Sequence, residues 1–209
     1  DNLFPFVSLS YPIGRVQSQL SYSEKIHRPD YGDLSNNIVY INPDNGYKIT
    51  EFIDGARVCN PKNKKDLIEC MKSLRELHEL KLKVDHEFDI FGQIEFYESL
   101  WNGNASVYRD YKKTKRNVFS LKNYINENIH EKVLTHIDAV PDNFLFKVDG
   151  KNTDIRLIDW EYAAMQDPHV DIAMFCIYSF YDREQIDELI DIYFCGKCDR
   201  KTRIKIYCY

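Results

Sequence analysis

Two carboxylates and one amide in a single stretch of this sequence are the side chains best suited to chemistry. Asp138 is followed by Asn143 five positions later and by Asp159 after 21 positions. A carboxylate can act as a base toward a hydroxyl, and an Asn/Asp pair offers the hard oxygen atoms that magnesium binds. Together these residue types meet the needs of metal-assisted phosphoryl transfer. Pro141 follows closely and predicts an irregular loop around Asp138.

The residues between Asn143 and Asp159 have the pattern of a β-hairpin. Apolar runs at 144–148 and 155–158 predict two short strands. The sequence DGKN at 149–152 lies between them and is typical of a tight turn, because Gly and Asn tolerate positive φ. A hairpin folds its far end back on its start, so we expect Asn143 and Asp159 to face one cavity.

The plainer alternative is a hairpin whose Asp and Asn residues only serve turns. Asp159 argues against it, since it follows apolar strand residues and directly precedes Trp160. This position predicts a carboxylate at the end of a buried strand, where it is costly unless it is paired or binds a cation. We therefore favour a functional site.

Length, composition and charge exclude several classes of protein. With 209 residues the chain can form one large domain or two small lobes with a substantial core. The 44% hydrophobic and 29% charged residues are typical of a globular protein and exclude wholesale disorder. A net charge of -5 argues against nucleic-acid binding and is compatible with a cationic small-molecule substrate. No apolar run approaches the roughly 20 residues of a membrane span, so we expect no membrane segment.

The six cysteines are scattered, which predicts reduced thiols rather than a disulfide framework. No basic segment followed by an apolar core opens the sequence, so we expect no secretory signal. Both observations favour a cytoplasmic protein. Cys195 and Cys198 are closely spaced, but a zinc site needs about four ligands and only Cys208 is near. We therefore assign this pair no role.

Apolar periodicity predicts mainly helices after a short β region. Residues 1–33 show neither the helical nor the strand period for long. His78 falls beside the apolar stripe of the first helix and is expected to be packed rather than a ligand, because no partner lies one turn away. Asp182 and Gln185 predict a capping box. The predicted strands are 39–41 and 47–53, and helices are predicted within 64–82, 88–101, 106–130, 172–180, after Asp182 and within 201–209.

The sequence THIDAVPDNFLF at 135–146, followed by IRLIDWEYAAMQDPHVDIA at 155–173, resembles the bacterial choline kinases of the choline/ethanolamine kinase and aminoglycoside phosphotransferase superfamily. The resemblance runs from about residue 42 to residue 209. It implies a two-lobed, protein-kinase-like α+β fold, mostly the helical C-terminal lobe with a catalytic-loop hairpin. Residues 1–53 would be a remnant of the N-terminal β lobe with the hinge strand, and residues 54–209 the helical catalytic lobe.

The resemblance also implies roles for individual residues. Asp138 matches the catalytic base, Asn143 and Asp159 match the magnesium ligands, and His136 matches a structural residue of the catalytic loop. ATP is the implied co-substrate and Mg²⁺ the implied cofactor. The hinge residues, whose backbone would bind adenine, are Thr50, Glu51, Phe52 and Ile53. The residues expected to contact the substrate are Glu161, Tyr162 and Tyr178.

Two features of the family are not found in the sequence. Residues 1–41 contain no glycine-rich phosphate loop and no strand lysine followed by a helix glutamate, for which Glu24 is a poor match. An aromatic helix that completes the family's ammonium pocket would begin near Tyr207, where the sequence stops. We therefore expect a fragment or a reduced member of the family, with an incomplete C-terminal lobe. We also expect these 209 residues alone to be a poor kinase.

The resulting hypothesis is an ATP- and Mg²⁺-dependent kinase that phosphorylates the hydroxyl of choline, or of a similar small amino alcohol, to phosphocholine. Two alternatives stay open. One is a kinase of another small hydroxylated substrate, such as an aminoglycoside. The other is a non-catalytic member of the same fold that binds a ligand or a protein partner, which the missing lysine and glycine-rich loop would favour.

Overall fold

The computed structural model describes residues 7–9, 38–42, 44, 47–149 and 152–209. Across these residues the fold is α+β, as predicted, with six α-helices and eight short strands. The expectations for most of 1–33, including Glu24, lie outside the described residues, as do Gly150 and Lys151 of the predicted hairpin turn. No helix in this part of the chain has the length and apolarity needed to cross a membrane.

The strands are, in chain order, β1 (Val7–Leu9), β2 (Ile38–Ile41), β3 (Tyr47–Thr50), β4 (Arg57–Val58), β5 (Val133–Thr135), β6 (Phe144–Asp149), β7 (Asn152–Leu157) and β8 (Ala164–Gln166). They form three antiparallel sheets with the strand orders β1-β3-β2, β4-β6-β7 and β5-β8. β1 lies where the sequence showed no strand period. β3 ends at Thr50 rather than at Ile53, because the chain leaves the sheet before a turn at Gly55, whose φ is 72°.

The predicted hairpin is confirmed. β6 and β7 pair from Phe144 opposite Leu157 to Asp149 opposite Asn152. Phe144 and Leu157 are buried, whereas Val148 is exposed, so the base of the hairpin packs in the core and its tip reaches solvent. The segments that enter and leave the hairpin are therefore held side by side at its base.

The predicted helices are confirmed, although their ends differ from the expected positions by up to five residues. They are α1 (Lys64–Glu79), α2 (Ile90–Ser99), α3 (Tyr111–Glu127), α4 (His169–Tyr178), α5 (Arg183–Phe194) and α6 (Arg200–Cys208). α1 begins after Asn63, whose side chain accepts the backbone N–H of Lys65. α5 begins with the predicted capping box between Asp182 and Gln185.

The core lies between α1, the base of the hairpin, α4 and α5. The rings of Phe144 and Phe175 meet edge to face there, with 5.8 Å between their centroids. Leu74 and Leu77 of α1 are fully buried in the same core. Burial stabilises each such side chain by about 2 kcal/mol, so this core fixes the hairpin against the helices that position the site.

A buried ion pair connects α6 to the loop that precedes α4. The Lys205 ammonium contacts the Asp167 carboxylate, and both side chains are almost completely excluded from solvent. The ammonium also donates to the backbone oxygen of Asn128 at 3.0 Å, and the Tyr209 hydroxyl donates to the Asp167 carboxylate at 3.0 Å. Removing one partner would leave the other charge buried without compensation.

We predict that Lys205→Met lowers the free energy of unfolding by about 3 kcal/mol, because the Asp167 charge stays in the core. The double variant Asp167→Asn/Lys205→Met should regain much of that loss, since it buries no charge. Chemical denaturation followed by circular dichroism measures both effects. Lys201→Met, on the exposed side of the same helix, is the control and should change stability by less than about 0.5 kcal/mol. Equal denaturation midpoints for Lys205→Met and the unmodified protein would contradict the prediction.

Candidate active site

The loop after β5 carries Asp138, the predicted base, and is held in a strained conformation. Ile137 has a φ of 72°, a left-handed conformation that is unfavourable for a β-branched residue. The buried carboxylate of Asp171 accepts the backbone N–H of His136 at 3.0 Å and that of Ile137 at 2.7 Å. These charge-assisted bonds offset a strain of about 1–3 kcal/mol. The first turn of α4 thereby determines the path of the loop at Asp138.

Asp171 is itself held by a second layer of contacts. The ring Nε2–H of His78 donates to Asp171 Oδ2 at 3.0 Å, because a carboxylate can only accept. The Tyr193 hydroxyl lies 2.7 Å from the other ring nitrogen of His78. All three side chains are buried, so α1, α4 and α5 meet at this carboxylate. The expectation of a packed His78 is correct, and its partners lie on other helices rather than one turn away.

His136 connects the loop to the end of the hairpin. Its Nε2–H donates to the backbone oxygen of Ile158 at 2.9 Å, and its ring packs edge-on against Trp160 with 4.7 Å between centroids. Burial lowers the pKa of His136, although the Asp171 charge opposes that shift. A neutral ring that donates through Nε2 suits the structural position that the sequence implied for it.

Asn143 links the predicted base to the predicted metal ligands. It closes a short 3₁₀ turn, and its amide nitrogen donates to the backbone oxygen of Asp138 at 2.9 Å and to the Asp138 carboxylate at 3.4 Å. Its own backbone oxygen accepts the N–H of Ile158 at 2.9 Å. The backbone bond to Ile158 places Asn143 next to the chain segment that leads to Asp159.

Asp159 differs from its predicted environment. The sequence predicted a carboxylate at the end of a buried strand, but β7 ends at Leu157 and Asp159 is exposed, with a φ of 64°. The left-handed turn directs the chain out of the sheet, so the argument from the cost of burial was wrong. The charge nevertheless acts on the site: burial raises the pKa of Asp138 and the Asp159 charge adds to that rise, and burial lowers the pKa of Lys48 against the attraction of Asp159.

The oxygen atoms of Asn143 and Asp159 fit the needs of a magnesium ion. Among the described residues no group of three or more His, Cys, Asp or Glu side chains is arranged to hold a metal. Magnesium does not need such a group, since it binds one or two protein oxygens and completes its octahedron with waters and phosphates. The amide of Asn143 and the exposed carboxylate of Asp159 are oxygen donors of the kind that magnesium prefers.

The surroundings of Asp138 favour its action as a base. The side chain is half-buried, and burial raises the pKa of its carboxyl group. The neighbouring His136 opposes this shift, the Asp159 charge adds to it, and the hydrogen bond from Asn143 opposes it again. A carboxylate with a raised pKa binds a proton more readily and is a stronger general base.

The predicted nucleotide and substrate residues lie on three different segments, namely the end of β3, the turn after Asp159 and the end of α4. Thr50 ends β3 and is half-buried with Ile53, whereas Glu51 and Phe52 are exposed outside the sheet. Glu161 belongs to the 3₁₀ turn that directly follows Asp159 and is half-buried.

Tyr162 and Tyr178 have different relations to the site. Tyr162 is half-buried in the turn after Asp159 and meets the ring of Phe88 edge to face, with 6.5 Å between centroids. Tyr178 is the last residue of α4 and is 57% exposed. It lies seven residues beyond Asp171, or about 10 Å along the helix, so α4 directs it away from the loop that Asp171 holds.

Three residues at the site carried no functional prediction, namely Lys48, Asp171 and Tyr193. A signal did exist for Asp171, since an aspartate in the otherwise apolar helix 169–178 must find a buried partner. Lys48 also had a signal, because lysine is unfavourable in the interior of a central strand. Tyr193 had none, since a tyrosine on the apolar face of a helix is ordinary.

Residues 34–205 of the chain match the phosphotransferase enzyme family, which is well over half of its length. The chain belongs to that family. A curated relative of this phosphotransferase-family chain is protein LicA of Haemophilus influenzae, which is 25% identical over 169 residues. The matched segment is 77% of this chain and 61% of LicA, so the chain spans less than two thirds of that relative.

Solved structures of two phosphotransferases have the same fold. Choline kinase LicA from Streptococcus pneumoniae superposes with a TM-score of 0.79 at 23% identity, over 97% of this chain and 71% of that protein. An aminoglycoside phosphotransferase from Streptomyces rimosus, solved with ADP and streptomycin, gives a TM-score of 0.62 at 14% identity, over 95% of this chain and 83% of that protein. The chain therefore has the kinase-like α+β fold that the sequence resemblance implied.

We predict that Asp171→Asn releases the loop before Asp138. The carboxylate accepts three hydrogen bonds, whereas the amide of Asn has only one accepting oxygen and an NH₂ group that cannot accept. The free energy of unfolding should therefore fall by about 2 kcal/mol. The amide hydrogens of His136 and Ile137 should exchange faster with solvent, which NMR hydrogen exchange measures residue by residue. Asp182→Asn is the matched control, because Asn caps a helix about as well as Asp. Unchanged protection of the two amides in Asp171→Asn would contradict this role.

Proposed function

We propose that the protein is a kinase that transfers the γ-phosphoryl group of ATP to the hydroxyl of choline or a similar small amino alcohol. The observation that carries this proposal is the hydrogen bonding of Asn143. Its amide bonds to Asp138 while its backbone oxygen bonds to Ile158, so one residue connects the proposed base to the segment that carries Asp159, the second proposed metal ligand. A base next to a divalent-metal site is the arrangement that phosphoryl transfer requires.

In the proposed mechanism Asp138 orients the substrate hydroxyl and accepts its proton as the oxygen attacks phosphorus. Its raised pKa favours that proton transfer, and the Asn143 amide keeps the carboxylate in one orientation. A magnesium ion bound by Asn143 and Asp159 would neutralise negative charge on the transferred phosphoryl group. The nucleotide base would bind backbone groups of residues 50–53, of which 51–53 lie beyond the end of β3 and take no part in strand pairing.

Choline as acceptor is supported by the residues that follow Asp159. A quaternary ammonium cannot donate hydrogen bonds and is recognised by aromatic faces and negative charge. Glu161 offers the negative charge, and the edge-to-face rings of Tyr162 and Phe88 offer the aromatic surface. The net charge of -5 is compatible with a cationic substrate.

An aminoglycoside has several amines and would need several acidic groups, but most acidic residues of the α5 region already have partners within the protein. Asp182 caps the helix. Asp187 pairs with Arg203 at 2.6 Å, and Glu188 pairs with Lys64 at 2.6 Å. Because these carboxylates are already paired within the protein, we favour a substrate with a single cationic group.

We predict phosphorylation of choline by the protein as its gene encodes it, measured by the formation of phosphocholine. Asp138→Asn should lower kcat by about 100-fold or more, since a general base contributes about 10²–10⁴. Nucleotide binding should change little, because the base acts on the hydroxyl. Asp142→Asn, an exposed aspartate in the adjacent turn, is the control and should retain activity. Phosphorylation of an aminoglycoside but not of choline would contradict choline as the acceptor. A near-normal kcat in Asp138→Asn would contradict the role of Asp138 as the base.

We predict that Asn143→Ala and Asp159→Ala weaken binding of magnesium–ATP, with the larger effect at Asp159 because it supplies charge as well as an oxygen. Calorimetric titration of ATP with and without Mg²⁺ measures the difference. Asp154→Ala, an exposed residue of β7, is the control and should keep the full magnesium dependence. If Asp159→Ala kept the same dependence, Asp159 would not be a metal ligand.

A further inference from the structure

The helices α2 and α3 form an antiparallel hairpin whose two ends differ in burial. At its base Phe91 of α2 meets Phe119 of α3 edge to face, with 5.4 Å between ring centroids. At its other end the rings of Trp101 and Tyr111 lie 5.0 Å apart. Each helix has a single buried residue, Phe91 in α2 and Ile125 in α3, and both belong to the half of the hairpin near the base. The opposite end is therefore little buried.

This little-buried end carries a cluster of exposed apolar side chains, which we call the apolar tip. Phe96, Tyr97 and Leu100 lie within about one turn of each other on the side of α2 that faces away from α3, and each is more than half exposed. The loop after α2 adds Val107 and Tyr108, which are 90% and 73% exposed. Single exposed apolar residues are ordinary, but a cluster of them marks an interaction surface.

Basic side chains border the apolar tip. Arg109, Lys112, Lys113 and Arg116 follow it at the same end of the hairpin, and all four are exposed. Six basic and two acidic residues lie between positions 96 and 122, although the whole chain has a net charge of -5. Salt screens interactions between exposed charges beyond about 8 Å, so a partner at the tip meets the local positive charge rather than the net charge. The tip therefore suits an anionic partner.

A lipid surface fits these observations better than a second copy of the chain. A two-fold contact between copies would bring the same basic residues of both molecules together, and like charges oppose that arrangement. The apolar side chains also project from the end of a hairpin. An anionic bilayer accepts such side chains one by one, with aromatic rings at the level of the headgroups and basic residues against the lipid phosphates.

We propose that the apolar tip and its basic border bind an anionic lipid surface, in the plane of the interface and without crossing the bilayer. The apolar side chains enter the headgroup region, where their burial favours binding, and the basic side chains pair with the phosphates. The inference does not depend on the proposed kinase function, because the tip contains none of the residues of the candidate active site.

Co-sedimentation with lipid vesicles tests the proposal on the protein as its gene encodes it. We expect binding to vesicles of equal parts phosphatidylglycerol and phosphatidylcholine, and little binding to phosphatidylcholine alone. The triple variant Lys112→Gln/Lys113→Gln/Arg116→Gln should bind the anionic vesicles about 100-fold more weakly, the combined effect of three basic residues near an anionic surface. Phe96→Ser/Leu100→Ser should weaken binding about 10-fold or more, because less apolar surface is buried.

Matched substitutions at other exposed positions are the controls. Ile177→Ser/Phe180→Ser removes two exposed apolar side chains at the end of α4. Lys62→Gln/Lys65→Gln/Lys201→Gln removes three exposed positive charges away from the hairpin. Both variants should bind the anionic vesicles like the unmodified protein. Thermal unfolding of each variant verifies that the protein is folded during the measurements.

Several results would overturn the proposal. The first is that the unmodified protein does not bind the anionic vesicles, or binds neutral ones equally well. The second is unchanged binding in both tip variants, which would assign the interaction to another surface. The third is a dimer, seen by sedimentation velocity, that the tip substitutions dissociate while vesicles are not bound. That result would assign the tip to a second copy of the chain.

Discussion

The geometry of the candidate site depends on the buried carboxylate of Asp171. It accepts two backbone N–H groups from the loop that carries Asp138 and one from the ring of His78. Without those bonds Ile137 would have little reason to remain in a left-handed conformation. The charge is stable in the core only because all three donors are aligned toward it. One helix residue therefore positions the loop and is in turn positioned by two other helices.

The site uses one residue type in two contrasting environments. Asp138 is half-buried and its pKa is raised, which suits a group that must take a proton. Asp159 is exposed beyond the end of β7, which suits a group that must reach a cation and its waters. Asn143 connects the two segments, because its amide bonds to Asp138 and its backbone oxygen to Ile158, the residue before Asp159.

Local signals predicted the parts of the fold that depend on local physics. The hairpin was recognisable because a glycine-containing turn lay between two apolar runs, and α5 because Asp182 and Gln185 form a capping box. The end of β3 was misjudged, since apolar residues continue past the point where the chain turns. Lys205 shows a further limit. A lysine in a helix is usually solvated, and its burial against Asp167 followed from how α6 docks.

The sequence by itself predicted which residues are suited to chemistry, namely Asp138, Asn143 and Asp159, and that a hairpin brings the segments of the last two together. It could do so because turn geometry and strand period act over a few residues. Only the tertiary structure decided that Asp159 is exposed and that Asp171 holds the loop before Asp138. The contacts of His78 with Asp171 and Tyr193 span 93 and 115 residues. Hydrogen bonds over such separations arise from helix packing in the core, and no local sequence pattern encodes them.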